Sequence, residues 1–185
     1  AAEGMDMPWE QCEIAWGDTS QHLPWSASQG GSSTTHAHTR SNWAAAMDAR
    51  QKMQEIAARD LGGSASDYEI GGERVYRRGN RSQGMSFARV AERAIALGGT
   101  YDGHELPEDI NGMTTASATA LAGQGLIGVA KDNFELGGGL RSFVAGFAEV
   151  EVDVETGDIK MVDYVAGSDA GTIIHPKTFE GQIFG

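Results

Sequence analysis

Val150-Glu151-Val152-Asp153-Val154-Glu155-Thr156-Gly157-Asp158, running straight into Ile159-Lys160-Met161-Val162-Asp163-Tyr164-Val165, is the stretch that decides the class of fold. Valine and acid alternate with the period of two that belongs to a half-buried strand. Glu155-Thr156-Gly157-Asp158 is a turn, and the alternation resumes beyond it. The pattern predicts an antiparallel hairpin with one wet face. Upstream the period changes. Between Ser41 and Leu61 the apolar positions Trp43, Met47, Met53, Ala57 and Leu61 follow a helical stripe, which Gly62-Gly63 stops. Tyr68 and Ile70 face Val75 and Tyr76 across Gly71-Gly72, a second hairpin signal. Ser86 is placed to cap another helix, with Phe87, Val90, Ala91, Ala94 and Ile95 on its inner face. Glu10 to Trp16, with Cys12, Ile14 and Trp16 on one side, reads as a further strand. Residues 98 to 141, rich in Gly, Ala and Thr, are expected to hold loops and short strands. Helices and hairpins interspersed in this way predict an α+β fold of mixed or antiparallel sheets with packed helices. No linker divides the chain, so residues 1–185 are expected to form a single domain.

Composition narrows the function. With 14 Lys and Arg against 26 Asp and Glu, the net charge of −12 repels phosphate backbones and argues against nucleic acid as a partner. No apolar run approaches the roughly 20 residues that cross a bilayer. The opening Ala1-Ala2-Glu3-Gly4-Met5-Asp6 lacks the basic and apolar regions of a signal peptide, so a cytoplasmic location away from membranes is expected. Cys12, the only cysteine, cannot by itself hold an iron–sulfur cluster or zinc.

Several motifs compete. Gly123-Gln124-Gly125-Leu126-Ile127-Gly128 fits the dinucleotide fingerprint, but that fingerprint needs a buried strand before it and a helix after it. The flanking sequence offers neither, and Gly137-Gly138-Gly139 follows soon after. His36-Ala37-His38 has no third ligand nearby and reads as surface histidine. Gln29-Gly30-Gly31-Ser32-Ser33-Thr34-Thr35 sets two glycines before four hydroxyl residues and a helix. That arrangement gathers backbone N–H and O–H donors suited to phosphate or other anionic atoms. Asp169-Ala170-Gly171-Thr172, then His175-Pro176 and Glu180-Gly181-Gln182, turns from a strand end into a helix start, a second place where ligands are gripped. Asp18, Asp169 and Glu180 are the carboxylates that a different, acid–base enzyme would use.

Taken in order, four stretches resemble the later half of the molybdopterin-binding subunit of the xanthine dehydrogenase/aldehyde oxidase family. They are Trp16-Gly17-Asp18-Thr19, Gly30-Gly31-Ser32-Ser33-Thr34, the hairpin at 150–158, and Asp169-Ala170-Gly171-Thr172-Ile173-Ile174-His175-Pro176 leading to Glu180-Gly181-Gln182-Ile183. The resemblance implies a molybdenum–molybdopterin cofactor, in the cytosine dinucleotide form of bacterial relatives. It implies hydroxylation of aldehydes or N-heterocycles with water-derived oxygen, and electrons leaving through iron–sulfur clusters and FAD on partner subunits or domains. By position, Gly30, Gly31, Ser32, Ser33 and Thr34 would contact the pterin or its phosphate. Gln182 would contact the pterin through its amide, and Asp169 and Gly171 would shape the loop beside it. His175 stands where the family has Asn. The family's catalytic glutamate falls beyond Gly185, so no catalytic residue or metal ligand is assigned here. The chain then reads as a fragment truncated at both ends, inactive alone, whose partners are the rest of its subunit, the iron–sulfur and FAD subunits, and a small-molecule substrate. The alternative is a scaffold or binding domain that keeps the fold and has lost the cofactor.

Overall fold

The computed structural model describes residues 1–23, 30–132 and 142–185 and contains two compact units, Ala1–Phe134 and Glu135–Gly185. Helices are mixed with small antiparallel sheets, the α+β class expected.

The first unit is organised on α2 (Thr34–Leu61), preceded by the single turn α1 (Ala2–Met5). Its inner row is Ala46, Ala49, Met53 and the pair Ile56-Ala57, spaced at three and four residues so that one stripe meets the core. Trp43 and Met47, expected on that stripe, are not buried, and Trp43 is among the exposed large apolar residues. The helix also begins seven residues earlier than Ser41. Residues 34–41 are polar and mostly exposed, so no apolar period announces them. Once nucleated, a helix gains one bond for each residue added.

Against α2 lies the three-stranded sheet β1 (Tyr68–Gly71), β2 (Arg74–Arg77) and β3 (Asn80–Ser86), all antiparallel neighbours. The β1–β2 turn has positive φ at both Gly72 (55°) and Glu73 (60°). A two-residue turn of that hand matches the twist of the strands it joins. α3 (Phe87–Leu97) follows with Ser86 as its cap, the hydroxyl accepting from Arg89 N–H at 3.2 Å. Tyr68, Ile70, Val75 and Met85 of the sheet, Met53, Ile56 and Ala57 of α2, and Val90 and Ala94 of α3 make one core. Ile95, expected on the inner face of α3, is exposed. Asp60 and Arg93 tie α2 to α3 by a two-pronged bridge at 2.6 and 2.7 Å.

Two further expectations fail in this unit. Residues 10–16 form no strand: Trp9–Gln11 is a short 3-10 turn, and Ile14 and Trp16 are exposed. A strand is stabilised by pairing, and no neighbour among the described residues pairs with this one. Within 98–132 there is a helix, α4 (Gly112–Ala120), in place of short strands. Its small residues give no apolar stripe. Asn111 declares it instead, accepting from Met113 and Thr114 N–H. The triplet Gly137-Gly138-Gly139 and Gln29 lie outside the described residues.

The segment after α4 is held to α2 by charge. Lys52, buried, gives its ammonium to Asp48 at 2.7 Å and to Ile127 O at 2.9 Å, and Asp48 accepts Val129 N–H at 2.9 Å. A Cβ on Gly128 would collide with the Ala45 carbonyl, so only glycine allows this approach.

The second unit is β4 (Phe143–Val152) paired antiparallel with β5 (Ile159–Asp169), followed by α5 (Pro176–Phe184). The hairpin falls where the sequence put it, and both strands are longer than the alternating stretch. The single wet face does not hold: β4 is exposed along its whole length, on both faces, because one added strand covers no face.

Replacing Lys52 with Met keeps the stem's packing but leaves Asp48 and Ile127 O without their cation. A loss of about 2 kcal/mol is expected in urea unfolding, with faster amide exchange at Val129. Asp60 and Asp102 are both held below the ordinary carboxylate range, Asp60 first by its hydrogen bonds from Arg93. For Asp102, burial pushes upward but the bonds and charge of His104 prevail. Depressed carboxylates stabilise the fold above their unfolded-state value, and that stability is lost as pH falls through the folded value. The urea midpoint of this unit should therefore drop below about pH 4 and hold between pH 5 and 7, with Asp60→Asn flattening part of the decline.

Candidate cofactor-binding site

The glycine–hydroxyl stretch sits at the N-terminus of α2. Gly31 (φ 62°) and Ser32 (φ 57°) are consecutive left-handed residues, and Ser33 (φ −86°, ψ −6°) leads into the helix. Successive residues of this kind turn backbone N–H groups into one concavity. Ser33 does not cap its helix. Its hydroxyl turns back to donate to Gly30 O at 2.9 Å, and no acid occupies the first helical turn. The positive end of a 28-residue helix is thus left without an anionic side chain of its own. Among the described residues, added Cβ atoms at Gly30 and Gly31 would meet nothing within 4 Å. Two turns into the helix, Arg40 bonds the His36 ring nitrogen at 3.0 Å and is clamped by Asp132 at 2.7 Å. A helix start with donors turned outward and no acid in its first turn fits a phosphate-bearing group.

The second stretch lies in the other unit. Asp169 ends β5, Gly171 (φ 66°) turns the chain, and Gln182 lies on α5. His175 caps α5. Its Nδ1 accepts Thr178 N–H at 3.2 Å, its carbonyl accepts the Thr178 hydroxyl at 2.9 Å, and Pro176 fills the first helical position. An imidazole that accepts at Nδ1 does here what an Asn side chain does as a cap. Gly30, Gly31, Ser32, Ser33 and Thr34 are consecutive at the start of α2 in the first unit, and Asp169, Gly171 and Gln182 lie in the second, on β5, the turn after it and α5.

The competing motifs resolve differently. Among the described residues, Gly123 to Gly128 has no strand before it and no helix directly after it, and its glycines serve packing: Gly123 N–H donates to Asp102 O, and Gly128 abuts α2. His36 and His38, two apart on a helix, point to different sides. No group of three metal-binding side chains exists among the described residues. Asp18 accepts from Ser20 O–H at 2.6 Å, Ser20 N–H at 2.9 Å and Gln21 at 2.9 Å, bonds led by the Ser20 hydroxyl that hold its carboxyl below the ordinary range. It caps a turn and carries no proton to give at neutral pH.

A family model described as the molybdopterin cofactor-binding domain matches residues 1–185. The chain belongs to this family. This molybdopterin cofactor-binding domain shares 46% identity over 46 residues with a probable xanthine dehydrogenase subunit of Bacillus subtilis (strain 168), which is 25% of this chain and 6% of that protein. Among solved structures it overlaps the Cu,Mo-CO dehydrogenase in its carbon monoxide reduced state at 25% identity, covering 86% of this chain and 17% of the other, with a TM-score of 0.48. It overlaps quinoline 2-oxidoreductase from Pseudomonas putida 86 at 27% identity, covering 76% and 16%, with a TM-score of 0.39. The chain spans less than a fifth of each of these proteins.

Two pairings escaped the sequence. Asp102, 1% exposed, meets His104 Nδ1 at 2.8 and 2.9 Å and organises the loop that Gly123 and Ile127 bond to. An Asp-x-His spacing among glycines was its only trace. The helix start at His175-Pro176 stands where the sequence put it, and what went unread is that the His175 ring itself caps it. His175→Asn should leave amide exchange at Thr178 and Phe179 unchanged, whereas His175→Leu should speed it about fivefold, a cap being worth about 1 kcal/mol.

Proposed function

We propose that this domain supplies part of the cradle for a molybdenum–molybdopterin cofactor, in its cytosine dinucleotide form, within the large subunit of a molybdenum hydroxylase. The observation that carries this reading is the cradle at Gly30–Thr34 inside a chain matched over its full length by the family model. Backbone N–H groups of Gly31 to Thr34 donate to the phosphate and pterin edge, and the positive helix end offsets the anion's charge. Gln182 offers an amide that both donates and accepts, suited to the pterin's mixed edge. Asp169 and Gly171 set the course of the loop before α5, and His175 fixes where that helix begins. When bound, the cofactor supplies two-electron redox chemistry that hydroxylates an aldehyde or N-heterocycle with oxygen drawn from water. The protein's share is binding and orientation.

In this reading the 185 residues are one domain-sized piece of a longer subunit and are inactive alone. The catalytic glutamate, the substrate pocket, and the iron–sulfur and FAD partners lie outside them, in a cytoplasmic assembly. No helix among the described residues is long and apolar enough to cross a membrane.

Molybdenum content by elemental analysis tests the proposal. In a host that makes the cofactor, the protein from its full reading frame should carry about one molybdenum per chain, and residues 1–185 alone should carry none. Gly31→Val, which both fills the cradle and strains a positive φ, should lower the content of the full protein severalfold. No molybdenum in the full-length protein would overturn the reading in favour of a scaffold that has lost its cofactor.

A further inference from the structure

The sequence sets a four-carbon acid or its amide directly before glycine at Asp102-Gly103 and at Asn111-Gly112. At such a pair the glycine nitrogen can attack the side-chain carbonyl carbon, because no Cβ shields the approach. The fold treats the two pairs oppositely. Asp102 is 1% exposed, and both its oxygens meet His104 Nδ1, at 2.9 and 2.8 Å. Those bonds keep it an anion, which resists a nucleophile, and Gly103 is buried against Ile127 and the end of α4.

Asn111 and Gly112 are both exposed, and the carboxamide is neutral. The Gly112 N–H has no partner among the described residues, and an added Cβ there would meet nothing within 4 Å. What restrains the pair is the cap. Asn111 Oδ1 accepts Met113 N–H at 3.1 Å and Thr114 N–H at 2.9 Å, and Nδ2 donates to the Thr114 hydroxyl at 2.9 Å. Ring closure has to draw the side chain out of these bonds. α4 is only 9 residues long and built mainly of Ala, Thr and Ser, so its first turn is held by little else.

We propose that Asn111 is a self-modification site, where the Gly112 nitrogen attacks the Asn111 side-chain carbonyl carbon at a rate set by release of the α4 cap. The new N–C bond forms as the carboxamide C–N bond breaks, and ammonia leaves carrying the Gly112 amide proton. Water then opens the five-membered imide at either carbonyl, leaving aspartate or isoaspartate. No oxidation state changes, and water is the only co-reactant. Aspartate keeps an oxygen acceptor at the cap and adds a negative charge at the positive helix end. Isoaspartate puts an extra carbon into the main chain and displaces the Asn111 carbonyl, which accepts Thr115 N–H at 3.0 Å and the Thr115 hydroxyl at 3.2 Å. The two products therefore act on α4 in opposite senses. Through the bond from the Ser117 hydroxyl to His22 O, a loosened α4 also frees the turn at Thr19–Gln21. The inference stands apart from the cofactor reading and survives its failure.

The test incubates the protein from its full reading frame in mildly alkaline, heavy-oxygen water, followed by peptide mass and electron-transfer fragmentation, which separates the two products. Labelled aspartate and isoaspartate are expected at 111, with no isomerisation at Asp102. Unfolding in urea should speed conversion about fivefold by removing the cap. Gly112→Ala, which suits a helical position with open space around it, should stay folded and slow conversion about tenfold. Amide exchange at Met113 and Thr114 should rise in the isoaspartate fraction and not in Asn111→Asp. No conversion at 111, an unchanged rate in Gly112→Ala, equal rates folded and unfolded, or equal conversion at Asp102 overturns the proposal.

Discussion

Lys52 is the constraint on which the first unit depends. A lysine this buried is tolerated only if its ammonium keeps partners, and it has two, Asp48 and the Ile127 carbonyl. Both partners are also structural. Asp48 holds Val129 N–H, so one charge pair on α2 fixes both sides of Gly128 and thereby the path of the chain after α4. The glycine is what lets that path come close. The same helix presents the Gly31-Ser32 cradle at one end and binds α3 through Asp60 and Arg93 near the other. The candidate cradle at Gly30–Thr34 is therefore mounted on an element that both the core and the charge network hold.

What could be read in advance follows from how local each cause is. The β1–β2 and β4–β5 hairpins, the cap at Ser86 and the stop at Gly62 all rest on neighbours in sequence, and all stand where the residues put them. The start of α2 did not announce itself, because residues 34–41 make their helix without burying anything. The α4 helix hid for the same reason, being built of Ala, Ser and Thr with its signal confined to Asn111. The expected strand at 10–16 had the right alternation but no partner, and alternation does not supply one. Lys52 could not be read at all: its carbonyl partner is 75 residues away, and a charged residue in a helix is ordinarily on the surface.

The candidate site divides in the same manner. Two glycines and a run of hydroxyls before a helix are visible as letters, and the positive φ of Gly31 follows from them. That Ser32 would also be left-handed, and that Ser33 would turn its hydroxyl backwards, are properties of the folded loop. His175 shows how a ring serves as a helix cap: its Nδ1 accepts the amide that an Asn oxygen in the same place would take.

The two units also differ in when they can exist. Every buried side chain described lies between Gly4 and Val129, so the first unit has all it needs for a core once the chain has been made that far. The hairpin that follows buries nothing of its own. In the order of synthesis, the first part of this chain can therefore bury its core before the hairpin has been made.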